Sequence, residues 1–155
     1  MAELKEGDAA PDIELADERG ERFRLSSLRG QKVVLYFYPR ANTPGCTTEA
    51  CEFRDHSRQF AARNAAIIGV SPDKPAAQLR FKEGKQLPFT LLADVDRRAA
   101  EAYGVWKEKT MYGKKVMGIE RSTFVIGEDG RIERIYRKVK AAGHAAEVLG
   151  AVTAP

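Results

Sequence analysis

Both cysteines of this 155-residue chain, Cys46 and Cys51, lie in one short segment, PRANTPGCTTEAC, residues 39–51. Paired thiols do redox chemistry, hold metals or fill space, and their neighbours decide which. Thr43 followed by Pro44 is a helix-start signature: a hydroxyl at the N-cap, then proline at the first helical position. Cys46 is then third in the first turn, among backbone N–H groups that lack helical partners and at the positive end of the macrodipole. Such a setting favours the thiolate, the nucleophilic form of cysteine. Gly45, with no side chain, is expected to leave room for a small substrate beside the sulfur.

Cys51 follows five positions later. In an ideal helix five residues turn about 500° and rise about 7.5 Å, which separates the two Cα atoms by roughly 8.6 Å. A disulfide needs less than about 7 Å. The two thiols can share one helix while reduced and can join only if that helix locally unwinds. A zinc site would need two further ligands, and only His56 and His144 are available, neither spaced as a metal half-site. His56 reads as a surface residue of the same helix, and His144 as a residue capping or lining the last one. A C-x-x-C redox motif has two intervening residues where this chain has four. Two inert core thiols are the remaining alternative, although inert thiols have no need of a Thr-Pro-Gly helix start.

The elements that must hold these thiols are legible as an alternation. DIELADERGERFRL reads as an N-terminal hairpin turning at ERGE. VVLYFY, from Val33 to Tyr38, is an unbroken apolar run suited to a strand buried on both faces. A long helix is expected over roughly Cys46 to Arg63, then a second buried strand, AAIIGVS, ending at Ser71. KPAAQLRFKEG reads as a helix with Pro75 in its first turn and Gly84 near its end. FTLLAD is a third strand, DRRAAEAYG a short helix closed by Gly104, and STFVI a fourth strand. GEDG turns the chain into RIERIYR, with Ile132 and Tyr136 on one face and Ile135 on the other, and AAGHAAEVLGAV supplies a final helix. Trp106, Met111, Tyr112 and Met117 lie in a stretch without clear periodicity, expected to be a loop packing aromatics onto the core, with a flank of the thiol site or a docking surface for a redox partner as the alternative. The whole predicts one α/β domain over residues 1–155, with a central mixed sheet and helices on both faces.

Composition bounds the function. Lys and Arg number 26 against 22 Asp and Glu, a net charge of +4. The surplus is mild, and its densest patch is KEK and GKK around Met111. A solvated mixed-charge surface is expected rather than a nucleic-acid face. The N-terminal MAELKEGDAAPDIEL is acidic and has no apolar core of signal-peptide length. No apolar run approaches the roughly 18 residues that span a bilayer. A reducing, cytoplasmic setting is therefore expected, where disulfides are mostly transient and catalytic.

The same residues resemble a known family. PRANTPGC fits the peroxiredoxin pattern of Pro, three residues, Thr, two residues, Cys, here Pro39, Thr43 and Cys46. TTEAC extends it as in the subfamily called Q, or bacterioferritin comigratory protein. GDAAPDIEL, SLRGQKVVLYFYPRANTPGCTTEAC, SPD, LLAD, YGVWKEKTMYGKKVMGIERSTFVI and KVKAAGHAAEVL are similar to it as well, so the likeness covers nearly the whole chain.

The resemblance implies a thioredoxin-like fold with an N-terminal hairpin extension, and thiol-dependent reduction of hydrogen peroxide and organic hydroperoxides without metal or cofactor. Carried over by position, Cys46 is the peroxidatic cysteine and Cys51 the resolving one. Thr43 hydrogen-bonds peroxide and thiolate, Pro39 shields the site, Arg121 of ERSTFVI supplies a guanidinium, and Glu49 orients that arginine. From the sequence alone Glu49 could equally be an exposed first-turn acid, and Arg121 a surface cation. The implied partners are a peroxide and thioredoxin or a related dithiol reductant, with no nucleic acid and no membrane, and the chain is expected to act as a monomer. A redox-sensing or chaperone-like module and a general disulfide oxidoreductase are the other classes compatible with a reactive thiol pair.

Overall fold

The computed structural model describes residues 3–152, and over that span strands and helices alternate as the hydrophobic pattern predicts. In chain order the elements are β1 (Glu14–Asp17), β2 (Arg22–Arg24), a 3-10 turn (Leu25–Leu28), β3 (Lys32–Phe37), α1 (Pro44–Asp55), α2 (Ser57–Ala62), β4 (Ala65–Ser71), α3 (Pro75–Lys85) and β5 (Thr90–Ala93). Then follow α4 (Arg98–Ala102), β6 (Trp106–Met111), β7 (Lys114–Ile119), β8 (Ser122–Ile126), β9 (Ile132–Tyr136) and α5 (His144–Ala151).

Seven strands form one mixed sheet in the order β2-β1-β5-β4-β3-β8-β9. β3 lies at its heart, parallel to β4 with Val34 opposite Ile67, and antiparallel to β8 with Leu35 opposite Phe124. Because side chains alternate along a strand, β3 feeds two cores at once. Val33, Leu35 and Phe37 join Val70, Leu92, Tyr103 and Phe124 on one face. Val34 and Tyr36 join Phe53, Phe60, Phe81 and Val148 on the other. Every residue of β3 is buried, which explains its unbroken apolar run. The second face is roofed by residues of α1, α2, α3 and α5, whereas the first is covered by the five-residue α4, the N-terminal segment, the 3-10 turn and the base of the β6–β7 pair through Trp106 and Ile119.

Two expectations change in detail. The long helix expected over residues 46–63 is two helices, α1 and α2, separated at His56, whose backbone leaves helical geometry at φ −102°, ψ 6°. There the Glu52 carbonyl oxygen accepts the His56 N–H at 3.2 Å and also lies 2.9 Å from the His56 ring nitrogen Nδ1. Helix α3 has Pro75 in its first turn and Gly84 near its end, as expected; its C-cap is Gln86, in the left-handed region at φ 53°, and the Leu87 N–H donates to the Lys82 carbonyl. The stretch expected to be a loop is instead a two-stranded antiparallel ribbon, β6–β7, which pairs only with itself. Its Trp106 does pack on the core, but Tyr112 is 98% exposed and Met117 50%; the Met111 side chain lies outside the described part. Among the described residues no helix is long and apolar enough to cross a membrane.

Candidate active site at the start of α1

The end of β3 delivers the chain into a short loop whose path is fixed from β4. Asp73 accepts the Ala41 N–H at 2.8 Å and the Ser71 hydroxyl at 2.6 Å. Ser71 in turn accepts from Gln78 Nε2 at 2.9 Å, and the buried Gln78 also takes the hydroxyl of Tyr38, the residue just after β3. Neither Asp73 nor Gln78 stood out in the sequence as functional; only the SPD motif hinted at the first. Pro39 opens this loop, half-buried.

Thr43 stands at the N-cap with extended backbone, φ −84° and ψ 157°, and Pro44 is the first helical residue, as predicted. The hydroxyl does not cap the helix, however. It donates to the Arg40 carbonyl at 2.8 Å, which closes the loop rather than the first turn. Its hydrogen is thus committed, and on the open side the oxygen can only accept. The first intrahelical bond runs from the Thr47 N–H to the Thr43 carbonyl at 2.8 Å, so the amides of Gly45 and Cys46 have no helical acceptor.

Cys46 is buried at 1% exposure, and its sulfur lies 3.4 Å from Arg121 Nη2. The other terminal nitrogen of Arg121, Nη1, donates to Glu49 Oε1 at 2.6 Å. The guanidinium therefore bridges two side chains of α1 that share a face three residues apart. Arg121 enters from the strand side, in the link between β7 and β8, and its side chain is only 16% exposed. Burial works against its charge, but Glu49 and Cys46 outweigh burial and hold it more firmly protonated than usual.

Glu49 is completely buried, which excludes an exposed helix-terminal acid. It sits beyond the first turn of α1, which contains no acidic residue. Burial pushes its carboxyl up to about 7, against the opposing pull of Arg121. Its Oε2 has no hydrogen-bond partner, so a proton can reside there while Oε1 keeps accepting from Arg121. The phenol of Tyr36, buried against Phe53 at 4.8 Å between ring centroids, likewise has no partner. Burial raises its ionisation far above the ordinary range, and the nearby Tyr38, Glu49 and Cys46 add to that, so it presents a neutral wall to the site.

A methyl group at Gly45 would stand 3.1 Å from Arg121 Nη2. The glycine thus gives the guanidinium room beside the sulfur. Cys51 lies in the same helix, half-buried, and both thiols are free. His144, also buried, is remote from this constellation in role: its Nε2 pairs with the Thr123 hydroxyl at 2.7 Å and its Nδ1 with Glu147 at 3.0 Å, tying α5 to the sheet. His56 is half-buried at the α1–α2 break. Of the residues singled out in the sequence, Cys46, Glu49 and Arg121 are thus in direct contact, Thr43 and Pro39 belong to the loop that leads in, and Cys51 stands apart on the same helix.

A first-turn thiol clamped by a guanidinium, at the ends of the parallel strands of an α/β sheet, defines a thiol-based redox enzyme. Residues 6–135 match the model of the AhpC/TSA family. The chain is 53% identical over 143 residues to peroxiredoxin Bcp of Bacillus subtilis, covering 92% of this chain and 91% of that one. It is 44% identical over 149 residues to peroxiredoxin Bcp of Escherichia coli, covering 96% of each. Among solved structures, a Xylella fastidiosa PrxQ mutant superposes with a TM-score of 0.92 at 40% identity, covering 97% of this chain and 96% of that one. The Xanthomonas campestris bacterioferritin comigratory protein, studied for its alkyl peroxide reduction activity, gives 0.86 at 41% identity, with 90% and 89% covered. The chain belongs to the AhpC/TSA family, has the thioredoxin-like peroxiredoxin fold, and is a thiol peroxidase of the Bcp, or Q, group.

Proposed function

We propose that Cys46 is the nucleophile that reduces hydrogen peroxide and organic hydroperoxides, that Cys51 resolves the oxidised form, and that thioredoxin or a related protein dithiol recycles it. The observation that carries this reading is the Arg121 fork, one nitrogen on the Cys46 sulfur at 3.4 Å and the other on Glu49 at 2.6 Å. A cation so held stands against the sulfur and is aimed where charge develops as the O–O bond breaks.

The Cys46 thiolate attacks the distal oxygen of ROOH, the S–O bond forms as O–O breaks, and the electron pair leaves with RO⁻. The peroxide proton ends on that leaving oxygen, giving ROH, or water when R is hydrogen, and the Cys46 sulfenate takes up one proton from solvent to become the sulfenic acid. Arg121 and the unpaired amides at the helix start stabilise the charge more in the transition state than before it. Arginine suits the task because it stays charged at every working pH. Thr43, whose hydroxyl hydrogen is committed to Arg40, offers its oxygen as the acceptor for the peroxide O–H. Pro39 shields the loop side, and Glu49 acts as a positioning residue that fixes the fork.

Condensation of the Cys51 thiol with the sulfenic acid releases water and forms a Cys46–Cys51 disulfide. Five residues of intact helix keep these sulfurs apart, so the reading includes local unwinding of α1 on oxidation. Thiol–disulfide exchange with the reductant then restores both thiols. Both thiols sit on one helix, which supports action as a monomer, in a reducing cytoplasmic compartment.

Cys46→Ser tests the first step and is expected to abolish peroxide consumption; a variant that keeps its rate overturns the mechanism. Cys51→Ser is expected to complete a single oxidation, seen as a sulfenic acid by mass, and then fail to turn over with thioredoxin. Peroxide-treated wild-type protein is expected to lose helical circular dichroism and amide protection around Cys46, and to regain both on reduction.

A further inference from the structure

The β6–β7 ribbon contributes little to the core beyond its base, yet it holds the largest exposed apolar groups of the described chain. Tyr112 is 98% exposed, Met117 50% and Val116 40%. Its tip, Tyr112-Gly113, has both residues in the left-handed region, at φ 52° and 77°, as a tight two-residue hairpin requires. Between Trp106 and Ile119 it carries four lysines against one glutamate, a net +3 within a chain whose total is +4. It is one basic stretch of the chain among others, residues 131–140 being another.

β7 ends at Ile119, so the ribbon leads within two residues into Arg121, whose Nη2 lies 3.4 Å from the Cys46 sulfur. Register places Lys109 opposite Val116 on one face, and Glu108 opposite Met117 on the other. The Lys109 side chain runs across Gly118, where a methyl group would stand 3.4 Å from its Cδ. Burial and then the charge of Arg121 depress its ammonium, while Glu120 and Cys46 oppose them, so Lys109 lies within the electrostatic reach of the site. Lys107 is anchored to Glu3 and Glu120, and Lys115 faces Glu108. Among the described residues Lys109 and Lys114 have no carboxylate partner.

Resting on the recycling proposed above, we infer that the face of the β6–β7 ribbon that carries Lys109, Lys114 and Val116, with Tyr112 at its tip, is the docking surface for the protein reductant, meeting an acidic-rimmed, apolar-centred face that carries a dithiol. A protein that brings its sulfur to Cys46 or Cys51 must seat its surface over the mouth of this site, and the ribbon runs directly into Arg121 there. A small apolar centre within a charged rim suits a brief redox encounter, where charge sets the association rate and little area is buried. A peroxide uses none of this surface.

The test compares wild type with Lys114→Glu/Lys115→Glu and with Tyr112→Asn, asparagine tolerating the left-handed backbone. Peroxide reduction is driven in parallel by thioredoxin and by dithiothreitol, a small uncharged dithiol. The double charge reversal is expected to raise KM for thioredoxin about tenfold and to weaken its dependence on salt, with Tyr112→Asn raising KM about threefold. Rates with dithiothreitol and single-turnover oxidation by peroxide are expected to stay at wild-type values. An unchanged thioredoxin KM in both variants overturns the inference. So does binding of wild type, and not of the charge-reversed variant, to vesicles of equal phosphatidylglycerol and phosphatidylcholine together with unchanged thioredoxin kinetics, which assigns the ribbon to a lipid surface. Wild type that turns over with dithiothreitol and not with thioredoxin removes both the recycling reading and this one.

Discussion

The first turns of α1 and the β6–β7 ribbon are neighbours built on opposite principles. In the helix, Cys46, Glu49 and Arg121 are buried, interlocked by short polar contacts and backed by aromatic packing. In the ribbon, strands of six residues each pair only with one another and most side chains face water. A buried cluster cannot relax around a missing group, so small changes there have large consequences for chemistry. An exposed ribbon tolerates change with little effect on chemistry or stability, and can be tuned toward a partner.

The contrast can be broken in order of expected effect. Arg121→Gln removes the cation while keeping a donor of similar reach, and kcat/KM for peroxide is expected to fall about a hundredfold to a thousandfold, as for loss of one preorganised charge-stabilising donor. Stopped-flow oxidation in a single turnover measures it; a loss below tenfold denies Arg121 its place in the transition state. Gly45→Ala puts a methyl group 3.1 Å from Arg121 Nη2, and is expected to displace the fork and slow the same step by about tenfold or more. Folding should be nearly unaffected, because Gly45 does not need a left-handed backbone and alanine is the better helix former.

Glu49→Gln sharpens the comparison through pH. Glu49 has its folded-state carboxyl raised from 4.5 to about 7, so the folded protein binds that proton more tightly than the unfolded one. Its contribution is full below about 4.5 and is lost as pH rises through about 7, on the order of 2–3 kcal/mol. The amide variant lacks that titration, so its stability relative to wild type should rise between pH 5 and 7.5 in urea unfolding, while its fork still accepts at one oxygen. A pH-independent difference would show that Glu49 stays charged in the fold. Smallest of all, Tyr112→Asn on the ribbon should change stability by no more than about 0.5 kcal/mol, because almost all of that side chain is already in water.

Much of this was legible where hydrophobic burial writes a strong pattern. β3 and β4 are apolar throughout because both faces are covered, and Thr43-Pro44 marks the start of α1 within a residue. Cys46 could be placed in a first turn by counting alone. Tertiary context supplied the rest. Nothing local says that Glu49 is buried, since its cover comes from Arg121, 72 positions away. The reason for Gly45 is that same distant guanidinium. The Thr43 hydroxyl had two competing acceptors, and a tight loop gave it to Arg40 instead of the helix. The ribbon escaped because both its faces are largely wet, so WKEKTM and KKVMGI show no clear alternation of period two. The break at His56 lacks a Gly or Pro that would have announced it.

That break gives α1 unequal ends. Near Asp55 the helix is moored: Phe53 is wedged among Tyr36, Phe60 and His144, and the Glu52 carboxylate takes the Gly143 N–H at 2.7 Å. Near Pro44 it has no side-chain cap at all. Once oxidation of the sulfur breaks its contact with Arg121, unwinding is expected to start on the threonine side and to halt at the moored phenylalanine. The proposed travel of the sulfur of residue 46 would then leave the rest of the molecule in its shape.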